Sequence, residues 1–158
     1  MEPGKLKTPS MSRITLSTLM QPEHANYHGF VHGGWIMKLV DEAGALACMR
    51  HAQTRVVTVV VDRMTFKEPI RIGDLVILTA EVSYAGRTSM EAEIQVVAEN
   101  PVTGECTHTN TAYVVYVAMG PNLTPCEVPK LEPETEEERQ RMAAAKARQA
   151  YRLREKQQ

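Results

Sequence analysis

Residues 34–51 read GWIMKLVDEAGALACMRH, the one segment of the chain patterned as a buried helix, and the architecture follows from it. At 100° per residue, Ile36, Leu39, Val40, Ala43, Leu46 and Ala47 fall on one apolar face. Another side gathers Gly34, Met37, Asp41, Gly44, Ala45 and Cys48, small residues around a carboxylate, where a backbone or a ligand can come close. Glycine at the entry predicts a helix start without a side-chain cap, its N–H groups free for other use. Arg50 and His51 in the last turn suit the negative end of the helix dipole.

Upstream of the helix, QPEHANYHGFVHGG (21–34) breaks all periodicity and reads as a polar, histidine-rich loop. Before it, Arg13 to Leu19 alternates as a strand should, and residues 1–10 read as a flexible leader. Downstream the signal switches to strands: a β-branched run over 54–66 ending near Pro69, then 75–85, 88–99 and 106–119, with a hairpin loop over 100–104. Pro121, Pro125, Pro129 and Pro133 mark a linker over 121–133. Residues 134–158, acidic first and basic later, predict a helical arm too sparse in apolar residues for a core face. The arm is expected to be solvated or to serve as an oligomer contact.

One helix followed by four long antiparallel strands predicts an α+β domain over 11–120, a curved sheet wrapped around a single central helix. One helix cannot cover both faces of such a sheet. The far face and one strand edge are therefore expected to be buried by a second copy.

The 158 residues are 43% hydrophobic and 23% charged with a net charge of −1, a globular profile without a basic field for nucleic acid. No run approaches the roughly 18 apolar residues of a membrane span. Cys48, Cys106 and Cys126 are scattered without a CxxC pair, which favours reduced thiols in a cytoplasm over a zinc ribbon or disulfide scaffold. The i, i+4, i+8 spacing of His24, His28 and His32 would align them only on a helix, and the glycines among them argue against one. No metal is expected there.

Several motifs in order give the chain a resemblance. HANYHGFVHGG (24–34) followed by KLVDEAGA (38–45) looks like the hallmark of the acyl-CoA hydrolase branch of the hotdog thioesterases. TVVVDRMTF (58–66) with Pro69 and Gly73-Asp74, and GRTS (86–89), extend the likeness over roughly residues 11 to 120. The resemblance implies a hotdog fold, hydrolysis of fatty acyl-CoA, and sites between two protomers, with a dimer as minimal unit and a trimer of dimers as the expected assembly. It assigns the loop asparagine to Asn26 and the helix acid to Asp41. It also implies that Gly86, Arg87, Thr88 and Ser89 hold the nucleotide end of coenzyme A, with Arg63 and Lys67 as weaker candidates, and that Val59, Val60 and Val61 run along the pantetheine arm. Coenzyme A then enters as part of the substrate, and no separate cofactor is implied.

The residues themselves suit that chemistry. Thioester hydrolysis needs a base or nucleophile, a placed water and donors for the carbonyl oxygen. Asp41 supplies a carboxylate partly removed from water, and Asn26 an amide that holds a water without changing charge. Gly33 and Gly34 offer N–H groups at a helix start, and His32 offers hydrogen bonds that shape the loop. Glu42 faces Lys38 and suits a surface pair. Two other functions fit the same cleft: a hotdog hydratase acting on enoyl-CoA, whose Asp/His dyad this spacing matches less well, and a non-catalytic acyl-CoA sensor, for which residues 134–158 lack a DNA-binding pattern.

Overall fold

A computed structural model describes residues 5–158. Five antiparallel strands, β1 (Ile14–Leu19), β2 (Arg55–Val61), β3 (Leu75–Ala85), β4 (Ser89–Glu99) and β5 (Cys106–Met119), form one sheet in the order β1-β3-β4-β5-β2. A short helix α1 (Pro9–Ser12) precedes β1, the long helix α2 (Gly33–Ala52) lies in the hollow of the sheet, and α3 (Glu136–Glu155) ends the chain.

Alternation makes the core. On β3, Val76, Leu78, Ala80 and Val82 point at α2, as do Met90, Ala92, Ile94 and Val96 on β4 and Ala112, Val114, Tyr116 and Ala118 on β5, all fully buried. The facing side of α2 is Ile36, Leu39, Val40, Ala43, Gly44, Ala47 and Cys48. Leu46, expected inside, is 38% exposed, because the small Gly44 and Cys48 draw the contact arc round to their own side. At Gly44 and Cys48 that side meets the sheet: a Cβ on Gly44 would stand 2.5 Å from the Tyr116 hydroxyl.

The expected strand over 54–66 is shorter in the structure and stops at Val61. A bulge between Thr58 and Val60 loosens the ladder, and the Asp62 carboxylate then takes the Arg63 N–H at 2.7 Å, turning the backbone away. β2 pairs only with β5 and forms an edge of the sheet, with Val57, Val59 and Val61 about half exposed.

The C-terminal helix is not a solvated arm. Thr135 and Glu138 form a capping box at its start, and the stripe Glu138, Arg141, Met142, Ala145, Arg148, Arg152 lies on the outer face of the sheet. Ions supply what apolar residues do not. Glu81, Glu91 and Glu93 are buried on that outer face, and Arg148 and Arg152 reach Glu91 at 2.7 and 3.0 Å, while Arg141 pairs with Glu81. Such carboxylates tolerate burial only when paired. Part of the face expected to need a second copy is thus covered by the chain's own helix.

The segment expected to be a loose leader is tied down from Lys7 onward. Lys7 exchanges backbone hydrogen bonds with Lys130 and Glu132, and its ammonium donates to the carbonyls of His51 (2.7 Å) and Arg50 (3.4 Å) at the end of α2. Met1 to Gly4 lie outside the described residues. His51, 1% exposed, joins the same clamp through Nε2, 2.8 Å from the Pro129 carbonyl.

Burial, aided by the nearby Lys7 charge, holds the His51 pKa below its ordinary value, while the Pro129 hydrogen bond opposes the shift. The unfolded chain therefore takes up a proton first, and stability declines as pH falls below the ordinary histidine value of about 6.5. Thermal unfolding followed from neutral to mildly acidic pH should show this fall, and His51→Gln, which keeps a donor for Pro129 without titrating, should flatten it. An equal pH slope in both proteins would rule His51 out as its source.

Candidate active site

Asp41 sits two turns into α2, half-buried, on the side facing β2 and β5. Its Oδ1 accepts a hydrogen bond from the Thr58 hydroxyl at 2.8 Å. The Tyr116 hydroxyl shares its one proton between the same carboxylate oxygen at 3.1 Å and the Asp41 carbonyl at 2.9 Å. Among the described residues Oδ2 has no hydrogen-bond partner, so one carboxylate oxygen is fixed and the other is open. Burial first, and the Asp41 charge next, push the Tyr116 phenol far above its ordinary pKa, so it serves as a neutral donor. Lys38 pairs with Glu42 instead, as expected of a surface pair.

Sheet register explains why these two donors meet one helix residue. Tyr116 is paired with Thr58 on β2 and with Met90 on β4, and it points inward like Val114 and Ala118 on either side. Gly44 lies three residues after Asp41 on the same side of the helix, and its missing side chain is the space Tyr116 fills. Neither donor stands out in the sequence. The available signal is one large polar side chain in the row Ala112, Val114, Tyr116, Ala118, opposite a glycine in the central helix. Cys48, one turn further on, offers no nucleophile, because burial raises its thiol well above the ordinary range.

Asn26 is placed elsewhere. Its side-chain amide oxygen, Oδ1, accepts the backbone N–H groups of His28 (2.9 Å) and Phe30 (3.2 Å), which closes the loop ahead of α2. The residue lines a hollow of about 610 Å³ with Phe30, Gly33, Ile36, Phe66 and Ile70. Eight residues of helix separate Gly33 from Asp41, a rise of about 12 Å. No hydrogen bond joins Asn26 to Asp41 within one chain.

The helix start is capped, contrary to the expectation from its glycines. His32 Nδ1 accepts the Gly34 N–H at 2.9 Å, so that amide is taken, whereas the Gly33 N–H has no partner among the described residues and lies in the wall of the Asn26 hollow. His24 is buried edge-on against Trp35, its Nδ1 accepting the Gln21 N–H. Among the described residues no three His, Cys, Asp or Glu side chains gather as a metal site.

Gly86, Arg87 and Thr88 form the tight link between β3 and β4, and Ser89 opens β4, its carbonyl accepting the Gly86 N–H at 2.8 Å. Gly86 and Arg87 border a hollow of about 470 Å³ shared with Glu127, Val128 and Lys130. Arg87 is exposed, while the Arg87 and Thr88 carbonyls hold Val128 and Ala118. Arg63 lies beyond the end of β2, and Val59 and Val61 are exposed on the edge strand, outside the sheet core.

Comparison with known proteins places the chain in a family. The model of the Thioesterase superfamily matches residues 28–105. Protein VdlD of Helicobacter pylori is 37% identical over 149 residues, 94% of this chain and 85% of that protein. The chain belongs to the thioesterase superfamily. Among solved members, a hexameric acyl-CoA thioesterase superposes with a TM-score of 0.91 at 35% identity, covering 96% of this chain and 97% of the other. An acyl-CoA hydrolase from Staphylococcus aureus, solved with butyryl coenzyme A, coenzyme A and coenzyme A disulfide, gives 0.87 at 31% identity, covering 97% and 96%. Further structures of that hydrolase carry alanine in place of one aspartate, one threonine and one asparagine. The architecture described above is thus the hotdog fold, α+β with one central helix.

The Gly44–Tyr116 contact makes a testable demand on the site. Gly44→Ala should lower stability by about 1–3 kcal/mol in chemical denaturation, since the added methyl overpacks a fully buried ring. Tyr116→Phe combined with Gly44→Ala should recover part of that loss, because the hydroxyl is the nearest clashing atom. Simple additivity of the two losses would refute the contact.

Proposed function

We propose that this chain hydrolyses fatty acyl-CoA thioesters to the free acid and coenzyme A, as a homo-oligomer whose sites are completed between two protomers. One observation carries the chemistry: a half-buried carboxylate, Asp41, with Oδ1 held by two neutral hydroxyls and Oδ2 open. A base fixed in this way takes a proton from water without first reorganising. The hydroxide equivalent adds to the thioester carbonyl carbon. The resulting oxyanion takes hydrogen bonds from the Gly33 N–H and the Asn26 amide, the C–S bond breaks, and the proton on Asp41 passes to the departing thiolate. The acid and the free thiol leave, and Asp41 is restored as a carboxylate. Relatives support this choice: solved members are acyl-CoA thioesterases or hydrolases, and the three residue types replaced by alanine in the S. aureus protein are those of Asp41, Thr58 and Asn26 here.

Two protomers are needed because the residues are too far apart in one. Asn26 and Gly33 stand at the start of α2 and Asp41 about 12 Å along it. A second copy bound across the unpaired β2 edge, with its exposed Val57, Val59 and Val61, brings one copy's loop toward the other's carboxylate. A hexameric relative supports a trimer of such dimers. Arg87, exposed beside a hollow at the β3–β4 link, is the proposed contact for coenzyme A phosphates, with Gly86, Thr88 and Ser89 shaping the turn. A cytoplasmic setting is part of the proposal, in keeping with the free Cys48, Cys106 and Cys126.

The test is thiol release from an acyl-CoA series running from acetyl to palmitoyl, with the wild type and Asp41→Asn side by side. Wild-type release that varies with chain length, reduced about 10²–10⁴-fold in the variant, is expected. No release from any acyl-CoA would sink the proposal, and undiminished release by Asp41→Asn would remove Asp41 from the mechanism.

A further inference from the structure

Residues 24–32 form a small hairpin that closes on itself. His32 N–H bonds the His24 carbonyl at 2.8 Å, Ala25 bridges Val31, and Asn26 N–H bonds the Phe30 carbonyl at 2.6 Å. Gly29, at φ +83°, turns the tip. Because Asn26 Oδ1 is taken by two backbone N–H groups, the Nδ2 of the same amide is left as a donor, without a partner among the described residues. Behind, the Val31 N–H ties the hairpin to the Ile70 carbonyl at 2.8 Å. Forward, its connection to α2 runs through His32. This residue donates its N–H back to His24, accepts the Trp35 N–H on its carbonyl at 2.9 Å, and accepts the Gly34 N–H on Nδ1 at 2.9 Å. An accepting Nδ1 in a neutral imidazole places the ring proton on Nε2. His32 is exposed, so its ring contributes this bond and not core packing. Gly34 is matched to it: a Cβ there would stand 3.1 Å from Nδ1 and 3.3 Å from Cε1, crowding the ring.

We propose that His32 is a positioning residue for the hydrolysis: its ring locks the hairpin to the helix and so fixes the spacing of the Asn26 amide and the Gly33 N–H. The inference rests on the function proposed above, in which these two groups bind the thioester oxygen. Donors lower a barrier when they already point at the developing charge and need not turn toward it. Asn26 belongs to the hairpin and Gly33 to the helix, and the chain between helix and hairpin passes through two adjacent glycines. Glycine restricts the backbone least of all residues, so the main chain alone would let hairpin and helix turn against each other. The imidazole bond removes that freedom by tying residue 32 to residue 34 across Gly33. It also occupies the Gly34 N–H, so that the Gly33 N–H is the one left facing the Asn26 hollow. Phe66 covers Gly33 from another side, its ring 3.6 Å from where a Cβ would stand.

The experiment combines steady-state thiol release from acyl-CoA with amide hydrogen exchange, on the intact wild type, His32→Ala, His32→Asn and Gly34→Ala. Asparagine is a favoured residue at a helix N-cap and offers a side-chain oxygen to the amide that Nδ1 now holds. In His32→Ala, kcat is expected to fall roughly ten-fold at unchanged KM, less than the roughly 10²–10³ that follows loss of a donor outright. His32→Asn should recover most of that loss. Exchange at the Gly34 amide should quicken in His32→Ala and slow again in His32→Asn. Gly34→Ala should lower kcat as His32→Ala does, and combining the two should add little, because both break the same bond. Thermal unfolding of each variant, read well above the assay temperature, will show that the fold is kept. A helix cap that serves stability alone predicts a lower unfolding temperature with kcat unmoved, and that result would overturn the proposal. So would a fall in kcat that His32→Asn leaves uncorrected while Gly34 exchange returns to the wild-type rate. If the wild type itself releases no thiol, the proposed function fails and takes this role with it; if the wild type is active and His32→Ala equals it, only the role of His32 is lost.

Discussion

The close approach of the central helix to the sheet is the constraint from which the rest of the molecule follows. Ala43, Gly44, Ala47 and Cys48 give α2 a narrow flank, and strands β3 to β5 close on it until Tyr116 fills the space a side chain at position 44 would need. Interior packing leaves no slack for a second arrangement. The same contact sets the chemistry. With Tyr116 against Gly44, its hydroxyl reaches Asp41, and the pairing of Tyr116 with Thr58 brings the second hydroxyl alongside. Packing and the arrangement of the carboxylate are one structural event.

The outer face of the sheet solves a different problem. Glu81, Glu91 and Glu93 alternate outward with the core residues, and without cover they would be a stripe of like charge. Helix α3 lays Arg141, Arg148 and Arg152 across them, so its docking is electrostatic first and apolar second. Removing one partner would strand a buried charge, which makes the helix integral to the fold. Arg152 also grips Asp62, where β2 ends and the segment carrying Arg63, Phe66 and Lys67 begins. The helix, the end of the edge strand and the neighbouring hollows are thereby held as one unit.

Much of this was legible in the residues. Strands β3 and β5 have the bounds the alternation predicts, and the helix in residues 34–51 differs by one residue at each end. These elements carry long periodic runs, and a period of two or 3.6 is a local property of a chain. Asp41 and Asn26 also stood out, because a motif with several fixed spacings is read along the chain as well. The failures were of another kind. Nothing local distinguishes Thr58 and Tyr116 from other strand residues, or marks three outward glutamates as buried. Lys7 lies in a stretch whose composition marks a loose leader, although it holds the far end of α2.

Those features depend on which segments meet. Sequence periodicity tells a helix from a strand and picks the face that leaves water, since each follows from bonds and burial within a few residues. Partners for charges and hydroxyls are chosen across separations such as 57 residues for Arg148 and Glu91 or 75 for Tyr116 and Asp41. A sparse helix such as α3 has no apolar pattern to announce that it docks, because its docking is a sum of ion pairs that exist only when the sheet is already formed. Local pattern thus wrote the elements and the candidate acid, while chain closure supplied the donors, the ion pairs and the hollows.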